Sequence, residues 1–388
     1  MSDFKNRSYS VPLSLLGVGL SLSSSLARAA SIEAESNDGW SAEFAASANA
    51  VSGNQSLLKN GSGRDDAYKV YLDRPVVSVR LTSPTGKIEF FGLFNLETLV
   101  QRNINMNSAS DRNSTFDGHS TGHVIENLAA TIKASEKLFV TAGVGTVAFM
   151  QPAGSVVSQS SIQDEVHQLS ERLFIETAYV LENGTTVQMS IFDGTEQKAV
   201  DLTRSFGVKD FFDFGKLSGD RVSGSVSGAV KIDKPLGDSG VHAFAAYALV
   251  RNPQGSGGEN HMVSLGLDAT YELGEWVVYG LLQFVQVWGE GKLSSVMTEV
   301  VAEKGKLSTY AQGEYAQLPS TSSTRKVGVV RATLGVKYKA IQNDNLTLSP
   351  FAEIYAESRG DSKSDVGLIF GSTIEFGAQT NFGKRKSE

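Results

Sequence analysis

The sequence predicts an all-β fold: one up-and-down antiparallel transmembrane β-barrel of sixteen strands, with fourteen as the alternative. Three observations carry this expectation. Apolar and polar residues alternate with period two in run after run, the runs are often about ten to fourteen residues long, close to the ~9–11 a tilted strand needs to cross a bilayer, and short turns alternate with long polar loops.

The alternation is plain in several places. Val263, Leu265, Leu267, Ala269, Tyr271 and Leu273 are separated by Ser264, Gly266, Asp268, Thr270 and Glu272. Val330, Ala332, Leu334, Val336 and Tyr338 alternate with Arg331, Thr333, Gly335, Lys337 and Lys339. Leu346, Leu348, Ala352, Ile354 and Ala356 repeat the pattern, as do Trp40, Ala42, Phe44, Ala46 and Ala48. Period two sends the two sets to opposite faces of a strand, whereas a helix would scatter Arg331, Lys337 and Lys339 around its circumference. A soluble sandwich buries one apolar face of strands of about 5–6 residues. Runs this long, with charges and small residues on the polar face, fit a sheet with lipid on one side and water on the other.

Turn chemistry sets the strand count. Ser83-Pro84-Thr85-Gly86, Ala134-Ser135-Glu136, Glu182-Asn183-Gly184, Lys234-Pro235-Leu236-Gly237, Leu273-Gly274-Glu275, Glu303-Lys304-Gly305 and the stretch 341–345 are rich in the residues that turns favour. Between them lie long polar stretches at 52–73, 102–121, 151–169, 195–219, 252–260, 289–294, 317–325 and 359–365. One opening strand, seven hairpins and one closing strand make sixteen. If the pair around Glu303-Lys304-Gly305 were an extracellular hairpin instead, the count would be fourteen. Either number is even, which puts both ends of the barrel on the same side of the membrane, the periplasmic one.

Residues 1–29 form an address rather than a fold. Lys5 and Arg7 precede an apolar stretch from Val11 to Leu26, and Ala27-Arg28-Ala29 supplies a small-x-small site with cleavage expected before Ala30. The barrel then spans 30–382, and 383–388 is a short basic tail. The chain of 388 residues contains no cysteine, which excludes disulfides, thiolate metal sites and a thiol nucleophile. Its formal charge of −7 argues against a nucleic-acid partner. Five scattered histidines leave little for a metal site, and no cofactor is expected.

The last strand has Leu368, Phe370, Ile374, Phe376, Ala378 and Phe382 on one parity, and Gly371, Thr373, Glu375, Gly377, Gln379 and Asn381 on the other. An amphipathic final strand ending in an aromatic residue resembles the recognition strand of Gram-negative outer-membrane barrels. The resemblance implies that Phe376 and Phe382 form an insertion signal read by the barrel insertion machinery. The tail after Phe382 departs from that pattern, since such strands usually end on the aromatic. A looser resemblance, to siderophore-porin-type barrels, rests on Leu138-Phe139-Val140-Thr141-Ala142-Gly143-Val144, on Glu171 to Tyr179, and on Ile191-Phe192-Asp193-Gly194. The porin resemblance implies a channel for passive diffusion of small hydrophilic solutes through outer-membrane lipid, in a possible homotrimer. The alternative is a channel specific for a siderophore, a sugar or an organic acid.

Candidate site residues follow from parity. Arg80, Lys133, Arg331 and Lys337, with Glu89, Glu97, Glu176, Asp268, Glu353 and Glu375, sit on the polar parity and are expected to line the pore. The stretch 151–169 lies where porins fold a loop into the lumen, which makes Asp164 and Glu165 candidates for the constriction. Trp276 and Trp288 share parity twelve residues apart, enough at ~3.3 Å per residue to reach both edges of a ~25 Å apolar band. Glu126 and Arg172 break the alternation.

Two motifs point elsewhere. Gly118-His119-Ser120-Thr121-Gly122 matches a hydrolase nucleophile string, but it follows an Asn/Ser-rich stretch rather than a strand-to-helix elbow. His119 and His123 would pair on a metal only from a helix, which the local sequence does not predict. The stretch 201–220, with Phe206, Phe211, Phe212 and Phe214, is the most aromatic loop, a candidate to cap the barrel mouth, contact a neighbouring subunit or meet a ligand.

Overall fold

The computed structural model describes residues 39–54, 68–95, 125–152, 155–156, 163, 169, 172–193, 226–251, 258–289, 293–319, 326–343, 345–360 and 365–382. The expected leader 1–29, residues 383–388, Glu97, His119, Ser120, His123, Asp164, Glu165 and the aromatic stretch 201–220 lie outside them.

Long alternating runs become long strands: β1 (Trp40–Asn54), β2 (Tyr68–Thr82), β3 (Ile88–Asn95), β4 (Ile125–Lys133), β5 (Leu138–Gly145), β6 (Arg172–Val180), β7 (Thr186–Asp193) and β8 (Val226–Pro235). They continue as β9 (Val241–Arg251), β10 (Glu259–Leu273), β11 (Trp276–Gly289), β12 (Ser294–Lys304), β13 (Leu307–Pro319), β14 (Lys326–Tyr338), β16 (Leu346–Arg359) and β17 (Asp365–Phe382). The two-residue β15 (Ile341–Gln342) only extends the β14–β16 turn, pairing with Leu348 and Thr347. The barrel therefore has sixteen strands, each antiparallel to its neighbours in sequence. The hairpin of β12 and β13 lies within it, so the fourteen-strand alternative falls.

Closure is made by β1, which pairs with β2 on one side and β17 on the other, from Trp40 opposite Phe382 to Gly53 opposite Ile369. Trp40 and Phe382 thus meet at the short-turn end of the cylinder. Gly305 and Gly274, at φ +58° and +66°, supply the left-handed backbone that two of those turns require.

Two register shifts account for irregularities in the sequence. Opposite Ala48 of β1 stand Arg74 and Pro75, and the bulge there suits a proline that has no N–H for a ladder. Between Leu93 opposite Asn127 and Phe94 opposite Ile125, Glu126 is the extra residue of a second bulge. Its break in the alternation is that bulge. Arg172, the other exception, is buried on the inner parity of β6 with Phe174, Glu176 and Ala178.

The outer face is apolar around the circumference. Ile191 is 64% exposed and Leu334 57%, and Ile175, Leu282, Val330, Leu368 and Phe370 are exposed as well. Water around so many large apolar side chains would cost roughly 1.5–3 kcal/mol for each, so this surface requires lipid. On the inner face, aromatic rings lie over glycines of the next strand: Phe244 over Gly266, Tyr310 over Gly335, Tyr355 over Gly367 and Phe351 over Gly371. A Cβ at Gly335 would collide with the Tyr310 ring, whose hydroxyl donates to Glu353 Oε1 at 2.6 Å.

Gly335→Val is therefore expected to displace Tyr310 and lower barrel stability by about 1–3 kcal/mol. Denaturant unfolding in detergent, followed by tryptophan fluorescence, measures it. Unchanged stability would remove the ring-over-glycine pairing as a structural device.

Candidate functional site: the lumen and its inner segment

The nine pore-lining candidates that fall within the described strands all sit on the inner parity. Thr82, Glu89, Thr131, Thr141, Glu176 and Ser190 follow one another in register across β2 to β7. Asp268 stands opposite His242, Arg331 opposite Glu314 and Glu357, Lys337 opposite Phe351, Glu353 opposite Gly335, and Glu375 opposite Ser47. Lys133 holds its ammonium 5.9 Å from the Phe139 ring. Trp276 and Trp288 lie on the outer parity at opposite ends of β11, while Tyr279 and Leu281 turn inward. Phe376 is exposed on the outer face of β17.

The segment after β5 enters the lumen. Val147 N–H donates to Leu169 O at 2.9 Å, closing the base of the excursion. Val147, Phe149, Met150 and Leu169 then form an apolar core with Phe174, Phe192, Val250, Met262, Val285 and Val287 on the inner wall. Farther along, Val156 packs against Val301 and Tyr310. Part of the barrel interior is thus a packed core rather than a wetted wall.

Polar contacts fasten the segment, and three wall carboxylates accept main-chain N–H groups from it. Ala148 donates to Glu176 Oε2 at 3.3 Å, Ser155 to Glu299 Oε2 at 3.4 Å, and Gln163 to Glu314 Oε1 at 3.3 Å. Gln283, 0% exposed, joins two parts of the segment. Its Oε1 accepts from Gln151 N–H at 2.7 Å, and its Nε2 donates to Gln151 O at 3.2 Å and to Gln163 Oε1 at 2.6 Å. Gln163 Nε2 donates onward to Ser295 Oγ at 2.8 Å. Gln151 Nε2 reaches Asp233 Oδ2 at 3.2 Å. These bonds fall on β6, β8, β11, β12 and β13.

The wall made by β17, β1, β2 and β3 has a different character. Arg80 lies between Glu43 (Nη1 to Oε2, 3.6 Å) and Glu89 (Nε to Oε1, 3.3 Å), with its guanidinium 5.6 Å from the Phe91 ring. The Glu43 side chain is 43% exposed although it points inward, as expected of a group that faces water inside the cylinder. Arg331, by contrast, is locked away. Its Nε and Nη2 both donate to Glu357 Oε2 at 2.8 Å, and Nη1 stands 3.9 Å from Glu314 Oε2. Sequence parity alone missed Glu43, Lys231, Asp233, Gln283, Glu299, Glu314 and Glu357. Among the described residues no cluster of His, Asp and Glu has the arrangement of a metal site.

Acidic side chains outnumber basic ones on the described inner face. Glu43, Glu89, Glu176, Asp233, Asp268, Glu299, Glu303, Glu314, Glu353, Glu357 and Glu375 stand against Arg80, Lys133, Arg172, Lys231, Arg331 and Lys337.

With this geometry in place, the fold finds counterparts among solved structures. The chain is similar to the outer membrane channel DcaP of Acinetobacter baumannii, at 12% identity over 87% of this chain and 96% of that one, with TM-score 0.53. It is similar to an anion-selective porin from Comamonas acidovorans, at 13% identity over 87% and 99%, with TM-score 0.52. A BenF-like porin from Pseudomonas fluorescens Pf-5 matches at 10% identity over 88% and 99%, with TM-score 0.52. No family model matches the chain, and no curated protein matches it in sequence. At these identities the likeness is one of fold: a porin-like, sixteen-stranded barrel of the outer-membrane type.

Arg331→Met is expected to destabilise the barrel by about 3–5 kcal/mol, because it strands two buried carboxylates, whereas Arg80→Met, beside half-exposed partners, costs less than about 1 kcal/mol. Equilibrium unfolding of the two variants in the same detergent compares them. Equal losses would show that the two arginines sit in similar environments.

Proposed function

We propose that the chain is a passive outer-membrane channel through which small hydrophilic solutes, cations preferred, diffuse without any bond chemistry. The observation that carries this reading is a closed sheet, apolar outside and charged inside, whose infolded segment is fastened along β6 to β13 while Glu43 remains exposed on the facing wall. Solutes would pass between the segment and the wall of β17, β1, β2 and β3, where Arg80, Glu43 and Glu89 meet them. The charge on that wall sorts ions by sign, because the field is focused in a narrow aqueous path.

In the same reading the short-turn end, where Trp40 pairs with Phe382, faces the periplasm. Trp276 and Trp288 seat the barrel at the two lipid–water interfaces, and Phe376 with Phe382 serves insertion. Alanines at positions 42, 46, 48 and 50, on either side of Phe44, leave small residues on the outer face of β1, which would suit a homotrimer.

Refolded protein in a planar bilayer is expected to give stepwise, ohmic currents, grouped in threes if the barrel is trimeric, with cations preferred. Arg80→Glu should raise that preference by about twofold or more, and Glu43→Lys should lower it. Folded protein that carries no current would sink the channel reading. A saturable current for one solute would replace free diffusion by a specific channel.

A further inference from the structure

Beneath the infolded segment lies a charge that free diffusion does not require. Lys231 is 1% exposed, on the inner face of β8 between Gln188 of β7 and Ala246 of β9. Its ammonium is 5.4 Å from the Phe244 ring, which itself occupies the room left by Gly266. The charges that act on it are Asp233, Glu176 and Asp268.

Two of those three carboxylates hold the segment. Glu176 accepts Ala148 N–H, with Ser190 Oγ donating to it at 2.7 Å and Gln188 Nε2 at 3.3 Å. Asp233 accepts Gln151 Nε2 on Oδ2, while its Oδ1 is 3.2 Å from His242 Nδ1. Glu176 and Lys231 are both buried, and the main chain of Ala148 lies on Glu176. Asp233 is the next inward residue of β8 after Lys231, and Gln188, opposite Lys231 on β7, is the residue that donates to Glu176, so the cation stands between the two carboxylates. A carboxylate taken out of water without a cation nearby is costly and draws water in.

We propose that Lys231 is the positioning residue of the lumen segment: by balancing Glu176 and Asp233 it keeps their hydrogen bonds to Ala148 and Gln151, and through them sets the bore. The link to bore rests on the channel reading above; the link to the segment's seat does not. Lys231 touches no permeating solute and acts through the two carboxylates.

Hydrogen exchange of residues 147–151 in the full-length barrel reads the seat directly, whether or not the protein conducts. Lys231→Met is expected to speed exchange of these amides by about tenfold or more, with the strand amides of β13 to β16 unchanged. Lys231→Arg should keep them slow. Glu176→Gln with Asp233→Asn leaves the cation without its two partners and should also speed exchange. Adding Lys231→Met to that pair removes the unpartnered cation and leaves all three positions neutral, and the Gln and Asn oxygens still accept the same N–H groups, so protection should return to within about threefold of the parent. The double-to-triple comparison decides the matter even if Lys231→Met alone does not fold. A triple variant that exchanges as fast as the double, or a folded Lys231→Met barrel with parental protection, would overturn the proposal. In bilayers, Lys231→Met should change conductance and the triple should revert it. Parental protein that follows the exchange pattern but carries no current would remove the channel reading and leave Lys231 its role.

Discussion

In hydrocarbon a strand edge has no water to bond with, and every other feature of this molecule follows from how the chain meets that condition. A free edge along β1 would leave a row of N–H and C=O groups unpaired at several kcal/mol each. The register from Trp40–Phe382 to Gly53–Ile369 removes that edge over nearly the whole of β1. Once the sheet is closed, period two leaves each strand one side for lipid and one for the interior. The outer side can be uniformly apolar because it never has to discriminate among partners. The inner side has to reconcile a sixteen-strand circumference with a segment of the chain packed inside it.

That reconciliation divides the interior in two. From β6 to β13 the wall is covered by the segment after β5, through an apolar core around Phe149 and through carboxylates that accept main-chain N–H groups. Main-chain donors exist whatever the side chain, so these three bonds place the acceptors Glu176, Glu299 and Glu314 on the wall, while the apolar core and the amides of Gln151 and Gln163 depend on the segment's own sequence. From β17 to β3 the wall carries exposed charge, with Arg80 spanning Glu43 and Glu89. Burial of the carboxylates separates otherwise similar ion pairs: Arg331 is a structural strut between the buried Glu314 and Glu357, while the partners of Arg80, Glu43 and Glu89, keep part of their surface exposed.

The sheet was legible in the sequence because lipid imposes a simple rule. Leu334 and Val330 had to lie outside if Arg331 and Lys337 lay inside, and the hairpin around Gly305 used the same turn chemistry as its neighbours. The interior was less legible where it is not wet. β11 is apolar on both parities, because Leu281, Val285 and Val287 face the infolded segment or its packing, so alternation offered no polar face and Gln283 went unnoticed. Lys231 and Asp233 were hidden for a related reason: what they serve is contact with residues more than eighty positions earlier, which no local period records. Glu126 looked like an exception only until a bulge supplied it with a place.

The central claim is that alternate residues of one strand face lipid and water. The absence of native cysteine makes single-cysteine spin labels along 328–337 of β14, in lipid vesicles, the most direct measurement. Labels at 330, 332, 334 and 336 should collide with oxygen dissolved in the bilayer, and those at 329, 331, 333, 335 and 337 with it far less. A flat profile, or water-soluble relaxant reaching position 334 as readily as a loop site, would contradict a closed cylinder with its greasy side in the membrane.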